Sequence, residues 1–135
     1  MTAIDASVLI AAFASWHEFH DIAVKACAAD PALPTHAYIE AYSSLTRLPE
    51  PFRAPADVVS DYLHRQWAHR LISPSGELVA VLPRTLNAAG VTGGATYDGV
   101  VGLTAREAGL RLVSLDRRAR RTYQLLNVPH EILTG

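Results

Sequence analysis

Four carboxylates stand where the surrounding sequence is apolar or where a helix is expected to begin. They are Asp5, Glu40, Asp98 and Asp116. Asp5 interrupts the apolar run MTAIDASVLIA, and Glu40 follows Ile39 within HAYIEAYSSL. An unpaired carboxylate in apolar surroundings costs several kcal/mol, which is comparable to the net stability of a whole domain. Such a group therefore requires protonation, a counter-charge or a metal ion.

A metal ion accounts for these acids better than a counter-charge does. The first Lys or Arg after Asp5 is Lys25. Carboxylates that converge without basic partners repel one another, and a divalent cation removes that repulsion. Ligand sets made only of oxygen select hard cations such as Mg²⁺ or Mn²⁺. The sequence therefore predicts a Mg²⁺ or Mn²⁺ site among these acids.

Helix capping offers a simpler explanation for two of the acids. Asp98 and Asp116 each precede or open a predicted helix, where Asp is a favoured N-cap, and caps are commoner than catalytic sites. Asp5 and Glu40 fit a capping role less well because both interrupt apolar stretches. The functional interpretation of Asp98 and Asp116 therefore depends on their meeting Asp5 and Glu40 in the fold.

The elements that must position these acids alternate between strands and helices. Strands are predicted at residues 2–5, at Ala32-Leu33 between two prolines, at 110–115 and at 128–133. Helices are predicted at residues 6–14, 16–29, 35 to the residues before Pro49, 56–69, 83–89 and 97–108. Apolar strands that alternate with helices are typical of a parallel sheet covered on both faces. We expect one three-layer α/β/α domain over residues 1–135, with a central, mostly parallel sheet of four or five strands.

Several local signals set the predicted helix boundaries. Ser15-Trp16-His17-Glu18 has the form of a capping box, and Thr35 is placed as an N-cap. Pro83 follows the apolar run 78–82 and can open a helix. Asp5 and Asp116 come directly after predicted strands, at the carboxyl ends where ligands gather in such sheets.

Composition narrows the class of protein further. The chain has 135 residues, 50% hydrophobic composition and a formal net charge of −1, which argues against a general polyanion-binding surface. Cys27 is the single cysteine, which excludes an intramolecular disulfide and a four-cysteine zinc site. The apolar runs are short and no basic leader precedes them, so we expect a cytoplasmic protein without a membrane segment.

The order of these features resembles the PIN-domain nucleases, most closely the VapC-type toxins of bacterial toxin–antitoxin pairs. The similar pieces are D-x-S-V-L-I at the N-terminus, an acid about thirty-five residues later, Y-D after a Gly-rich loop, and L-V-S-L-D-R-R-A near the C-terminus. The resemblance spans residues 2 to about 133. It implies a PIN-like fold in which the four acids bind one or two Mg²⁺ or Mn²⁺ ions and cleave single-stranded or looped RNA. It also implies a homodimer and a small antitoxin protein that lays a peptide into a groove near the early helices.

The same resemblance concerns two further features, a pair of serines near the acids and the residues that follow the last Asp. Ser7 and Ser114 match positions where the family often places a hydroxyl. Some members add an acid after the last Asp, where this chain has basic residues instead. The basic cluster consists of Arg117, Arg118, Arg120 and Arg121. These arginines either contact RNA phosphates without base specificity, or form a solvated helix face that neutralises nearby acids.

Other enzyme classes fit the sequence poorly. His17 and His20 are three residues apart, whereas the H-E-x-x-H zinc-protease motif places its histidines four apart. Gly93-Gly94 lacks the lysine of a phosphate-binding P-loop. A receiver domain needs an acidic pair after the first strand and a later lysine, and a haloacid-dehalogenase-type phosphatase needs D-x-D where this chain has Asp5-Ala6-Ser7.

One alternative of a different class stays open. A catalytically silent PIN-like domain can serve as a binding module for RNA or for a protein partner. Its usual sign is the loss of one or more acids, and all four are present here. The sequence therefore favours a metal-dependent endoribonuclease that acts as the toxin of a toxin–antitoxin system.

Overall fold

The structure is a computed structural model that describes residues 1–134. These residues form five strands, β1 (Thr2–Ile4), β2 (Leu33–Pro34), β3 (Leu71–Ile72), β4 (Arg111–Ser114) and β5 (His130–Ile132). β4 pairs in parallel with both β1 and β5, and β2 pairs in parallel with β3. A parallel bridge between Ala3 and Ala32 joins the two groups, giving the spatial order β3-β2-β1-β4-β5. The predicted parallel sheet is confirmed.

Seven α-helices surround this sheet in the described part of the chain. They are α1 (Ala6–Phe13), α2 (His20–Ala28), α3 (Thr35–Thr46), α4 (Ala56–Trp67), α5 (Gly76–Ala89), α6 (Ala95–Glu107) and α7 (Arg120–Leu125). α1 packs against α2 and α3, while α6 packs against α3, α5 and α7. Within residues 1–134, no helix combines the length and the apolar character needed to cross a bilayer.

The two central strands lie in the middle of the hydrophobic core. Ile4 of β1 and Leu112 of β4 are completely buried, as are Leu9 of α1 and Leu33 of β2. Closely packed interiors hold backbone segments in fixed positions. The residues that follow β1 and β4 therefore leave the sheet from rigid points, and these are the segments that carry Asp5 and Asp116.

The predicted start of the second helix is wrong. Ser15-Trp16-His17-Glu18 does not form a capping box, because α2 begins only at His20. The imidazole Nδ1 of His17 accepts a hydrogen bond from the Phe19 N–H at 3.0 Å and closes a local turn. Trp16 packs against Phe52, with ring centroids 4.7 Å apart. These contacts hold residues 15–19 outside the helix.

Two further helix starts also differ from the prediction. α5 begins at Gly76 rather than at Pro83, which lies inside the helix. The Ser75 hydroxyl accepts from the Leu78 N–H at 3.0 Å, and Leu82 and Leu86 are buried against the core. This packing and cap outweigh the one backbone hydrogen bond that a proline removes. Thr35 is the first residue of α3 and makes no capping bond, because β2 runs through Pro34 directly into the helix.

Candidate functional site

A small cavity opens where β1 and β4 end. Its volume is about 160 Å³. The residues that line it are Asp5, Ala6, Ser7, Ile10, Glu40, Asp98, Val101 and Asp116. The structure thus brings the four predicted acids to one cavity, although each belongs to a different part of the chain.

Asp5 is held in one orientation by hydrogen bonds from two elements. Its side chain is buried at 6% exposure. Oδ1 accepts from the Ser7 N–H at 3.0 Å and from the Ser7 hydroxyl, so Asp5 is also the N-cap of α1. Oδ2 accepts from the Tyr123 hydroxyl at 2.9 Å. Burial raises the pKa of Asp5, although these hydrogen bonds act in the opposite direction.

The two predicted serines connect the chain segments that follow β1 and β4. The Ser7 hydroxyl accepts from the Leu115 N–H at 2.9 Å and lies 3.4 Å from the Ser114 hydroxyl. Ser114 in turn accepts from the Asp116 N–H at 3.0 Å. This chain of hydroxyl contacts fixes the position of the Asp5 segment relative to the Asp116 segment.

Glu40 and Asp98 face the cavity from two helices, α3 and α6, and both are half-buried. Burial raises the pKa of Asp98 to about 6, and the nearby charges of Glu40, Asp116 and Asp5 add to this effect. Burial also raises the pKa of Glu40, assisted by Asp5 and opposed by Arg47. The acids therefore lie close enough to make one another harder to ionise.

The acids that act as N-caps in the structure are Asp5 and Asp116, whereas the sequence suggested Asp98 and Asp116. The N-cap of α6 is Gly94, with no side-chain capping bond, so Asp98 does not cap its helix. Asp116 does cap a short 3₁₀ turn at Arg117–Ala119, where its Oδ1 accepts from the Arg118 N–H at 2.9 Å. Asp98 thus has no local structural role of this kind.

The chemistry of the donors fits a hard divalent cation. Carboxylate oxygens are the ligands that Mg²⁺ and Mn²⁺ prefer. Among residues 1–134, the ion pair at the cavity joins Arg118 Nε to Asp116 Oδ1 at 3.9 Å, and the Arg118 side chain is 97% exposed. No three His, Cys, Asp or Glu side chains of residues 1–134 already stand in an arrangement that holds one ion. Binding of one ion by these acids would therefore require rearrangement of their side chains.

Comparison with known proteins agrees with this architecture. The sequence profile of the PIN domain matches residues 2–125. The chain belongs to the PIN-domain family. Ribonuclease VapC40 of Mycobacterium tuberculosis is 43% identical over 134 residues, which cover 99% of this chain and all of the relative. Ribonuclease VapC27 of the same organism is 39% identical over 128 residues, covering 93% of this chain and 92% of the relative.

Solved structures share the fold of this PIN-domain protein. FitAcB from Neisseria gonorrhoeae superposes with a TM-score of 0.70 at 16% identity, covering 96% of each chain. FitAB bound to an IR36 DNA fragment superposes with a TM-score of 0.71 at 14% identity, covering 100% of this chain and 99% of the other. PAE2754 from Pyrobaculum aerophilum superposes with a TM-score of 0.58 at 22% identity, covering 93% of this chain and 87% of the other. The resemblance to VapC-type PIN domains that the sequence indicates is confirmed.

The basic cluster of the PIN domain follows Asp116 along the chain and lies in solvent. Arg117, Arg118, Arg120 and Arg121 are all exposed. The charge of Arg118 offsets part of the rise in the pKa of Asp98, so at least this arginine acts on the acids. The other three project from the 3₁₀ turn and from α7. Their predicted contact with RNA phosphates stays a prediction.

Tyr123 is the residue of this PIN domain that sequence reasoning missed. Its ring is completely buried in α7, and burial with the neighbouring acids raises the pKa of its hydroxyl. A buried tyrosine in a helix indicates core packing, and nothing in its spacing reveals a bond to Asp5, 118 residues away.

Tyr123→Phe is expected to weaken Mn²⁺ binding and RNA cleavage by roughly 10- to 100-fold. The change keeps the ring but removes the donor that orients Asp5 Oδ2. Calorimetric Mn²⁺ titration and initial cleavage rates measure the effect. Tyr62→Phe is the matched control, since the Tyr62 hydroxyl accepts from Trp67 at 3.3 Å instead of contacting the acids. Equal Mn²⁺ affinity in the two variants would contradict the role given to Tyr123.

Proposed function

We propose that this PIN-domain protein is a metal-dependent endoribonuclease and the toxin of a toxin–antitoxin system. The observation that carries the proposal is the convergence of four carboxylates on one cavity with little basic compensation. Two relatives that match nearly their full length carry the name ribonuclease, which supports RNA as the substrate.

A bound Mg²⁺ or Mn²⁺ ion would supply an activated water and stabilise charge on the phosphate and the leaving oxygen. Asp5, Asp98 and Asp116 would hold this ion directly or through water, and Glu40 would complete the cage or orient the attacking water. Tyr123 and Ser7 keep Asp5 pointing into the cavity. No nucleophilic Ser, Cys or His is required in this scheme.

We further propose a cognate antitoxin protein, a homodimer and a cytoplasmic location, with residues 1–135 forming a single domain. A groove of about 200 Å³ between α3 and α4 supports a peptide-binding role for the early helices. It is lined by Tyr38, Ile39, Tyr42, Ser60 and Leu63. Ile39 and Tyr42 are 65% and 41% exposed and line the same groove, and adjoining exposed apolar side chains often mark a protein-binding site.

Metal dependence of RNA cleavage tests the proposed activity. We expect the purified protein to cleave structured RNA within its loops when Mg²⁺ or Mn²⁺ is present, to lose this activity in excess EDTA, and to regain it when Mn²⁺ is restored. A thermal melt with added Mn²⁺ should also shift upward, because a ligand that binds only the folded state stabilises it. Cleavage that persists in EDTA would contradict the metal mechanism. Absence of both cleavage and a thermal shift would favour the silent binding module.

A further inference from the structure

Two aromatic rings stack at the rim of the acid cavity. His36 of α3 and Tyr97 of α6 lie with ring centroids 5.0 Å apart and ring planes 4° from parallel. Tyr97 is 55% exposed, so the pair is not part of the hydrophobic core. Each ring is close in sequence to an acid of the cavity, because Tyr97 precedes Asp98 and His36 lies one helical turn before Glu40.

The stacked pair forms one side of a second cavity, which we call the rim pocket. Its volume is about 340 Å³. The residues that line it are His36, Ile39, Glu40, Ser43, Arg47 and Tyr97. Glu40 lines both this pocket and the acid cavity, so the two are direct neighbours. A molecule in the rim pocket would lie next to any group held by the acids.

The rim pocket also contains a cation with free hydrogen-bonding capacity. Arg47 donates from Nη1 to the Ser43 hydroxyl at 3.1 Å and is otherwise exposed. A guanidinium carries five N–H donors, and its planar fork matches a phosphate group. The charge of Arg47 also reaches Glu40, where it offsets part of the rise in pKa that burial causes. The pocket therefore combines an aromatic platform, an apolar wall from Ile39 and a phosphate-binding group.

We propose that the rim pocket binds one unpaired RNA nucleotide next to the cleaved phosphate, with the base on the His36–Tyr97 stack and a flanking phosphate on Arg47. This inference rests on the proposed ribonuclease function. Stacking requires an exposed base face, which single strands and loops provide and duplexes do not. Because every base has a π-face, the pocket selects unpaired RNA with little preference for sequence.

Binding of a short single-stranded RNA with a 5′ fluorescent label tests the proposal. Fluorescence anisotropy is measured in Ca²⁺, and cleavage in Mg²⁺ is measured separately. We expect Tyr97→Ala to weaken RNA binding by at least about tenfold, because base–aromatic stacking is lost. Tyr97→Phe keeps the ring and should bind within about threefold of the wild type. Phe52→Ala is the matched control, since Phe52 is 45% exposed and packs on Trp16.

RNAs with a single abasic position identify the bound nucleotide. At one position, loss of the base should weaken wild-type binding about as much as Tyr97→Ala does. Tyr97→Ala should then cause no further loss with that RNA, because the base that it would stack on is gone. Tyr97→Ala should retain the thermal shift caused by Mn²⁺, which separates an effect on stacking from displacement of Asp98.

The two proposals fail in distinguishable ways. Cleavage by the wild type, together with unchanged RNA binding by Tyr97→Ala, would overturn the rim pocket and leave the ribonuclease function intact. Coupling between Tyr97 and one abasic position without any cleavage would support the pocket and overturn the catalytic function. If no abasic position couples to Tyr97, the pocket does not bind a base, and a protein side chain would be the better occupant to test.

Discussion

Asp5→Asn is expected to reduce RNA cleavage by roughly 10²- to 10³-fold or more and to leave the protein folded. The charge of Asp5 is the part of the cage that the fold holds most rigidly, because the side chain is buried and bonded to Ser7 and Tyr123. Asn keeps the size and an oxygen acceptor for the Ser7 N–H. Its amide can also face the Tyr123 hydroxyl, which accepts as well as donates.

The melting temperature and the rate of RNA cleavage are measured on the same samples, so that a loss of activity can be distinguished from a loss of folding. Burial opposes the charge of Asp5, so removal of that charge should leave the melting temperature unchanged or higher at neutral pH. Asp61→Asn is the matched control, since Asp61 is exposed and pairs only with Arg65 at 2.9 Å on the surface of α4. Wild-type cleavage by Asp5→Asn would exclude Asp5 from the catalytic site. A large drop in melting temperature would show that the charge of Asp5 stabilises the fold, and a loss of cleavage would then not assign Asp5 to the catalytic site.

A rise in pH from 5 to 7 is expected to destabilise the protein in EDTA and to strengthen its binding of Mn²⁺. The folded state raises the pKa of Asp98 from 3.8 to about 6. An acid whose pKa is raised on folding favours the folded state below its unfolded pKa, and this contribution is lost as the pH rises through the folded value. Asp98 is half-exposed, so we discount the effect to about 1 kcal/mol, or a few degrees in melting temperature.

Mn²⁺ binding should change in the opposite direction over the same pH range. A carboxyl group with a pKa of about 6 is about 90% protonated at pH 5 and about 10% protonated at pH 7, and the proton competes with the metal. The Mn²⁺ concentration that gives half of the full thermal shift should therefore fall at least about tenfold. Asp98→Asn should flatten the stability profile in EDTA. A melting temperature that rises with pH in EDTA, equally in wild type and Asp98→Asn, would contradict the raised pKa of Asp98.

The positions of the acids could be predicted because each lies on a strongly patterned element. The apolar residues of β1 and β4 indicate buried parallel strands, and in such sheets the residues after the strands meet at one edge. This pattern places Asp5 and Asp116 together. The helical phase of α3 and α6 then allows Glu40 and Asp98 to face the same edge. Individual polar or aromatic side-chain contacts leave no comparable periodic pattern in the sequence.

The features that the sequence did not reveal depend on contacts between distant elements. The imidazole of His17 replaces the expected capping box, and burial of Leu82 and Leu86 keeps α5 helical through Pro83. The hydroxyl of Tyr123 reaches Asp5 only because the fold brings α7 close to the residue that follows β1. The stack of His36 on Tyr97 likewise depends on how α3 and α6 are rotated about their axes. None of these relations is encoded in local periodicity.

On each of two helices, one ring of the stacked pair and one acid of the cavity lie at a fixed interval. On α6 the interval from Tyr97 to Asp98 is a single peptide unit, and on α3 one helical turn separates His36 from Glu40. If a nucleotide binds as proposed, these intervals fix the distance between the stacked base and the cleaved bond. The cut would fall at a constant offset from an unpaired base, whatever that base is. The targets of such an enzyme would be determined by the shapes of RNA loops rather than by their nucleotide sequences.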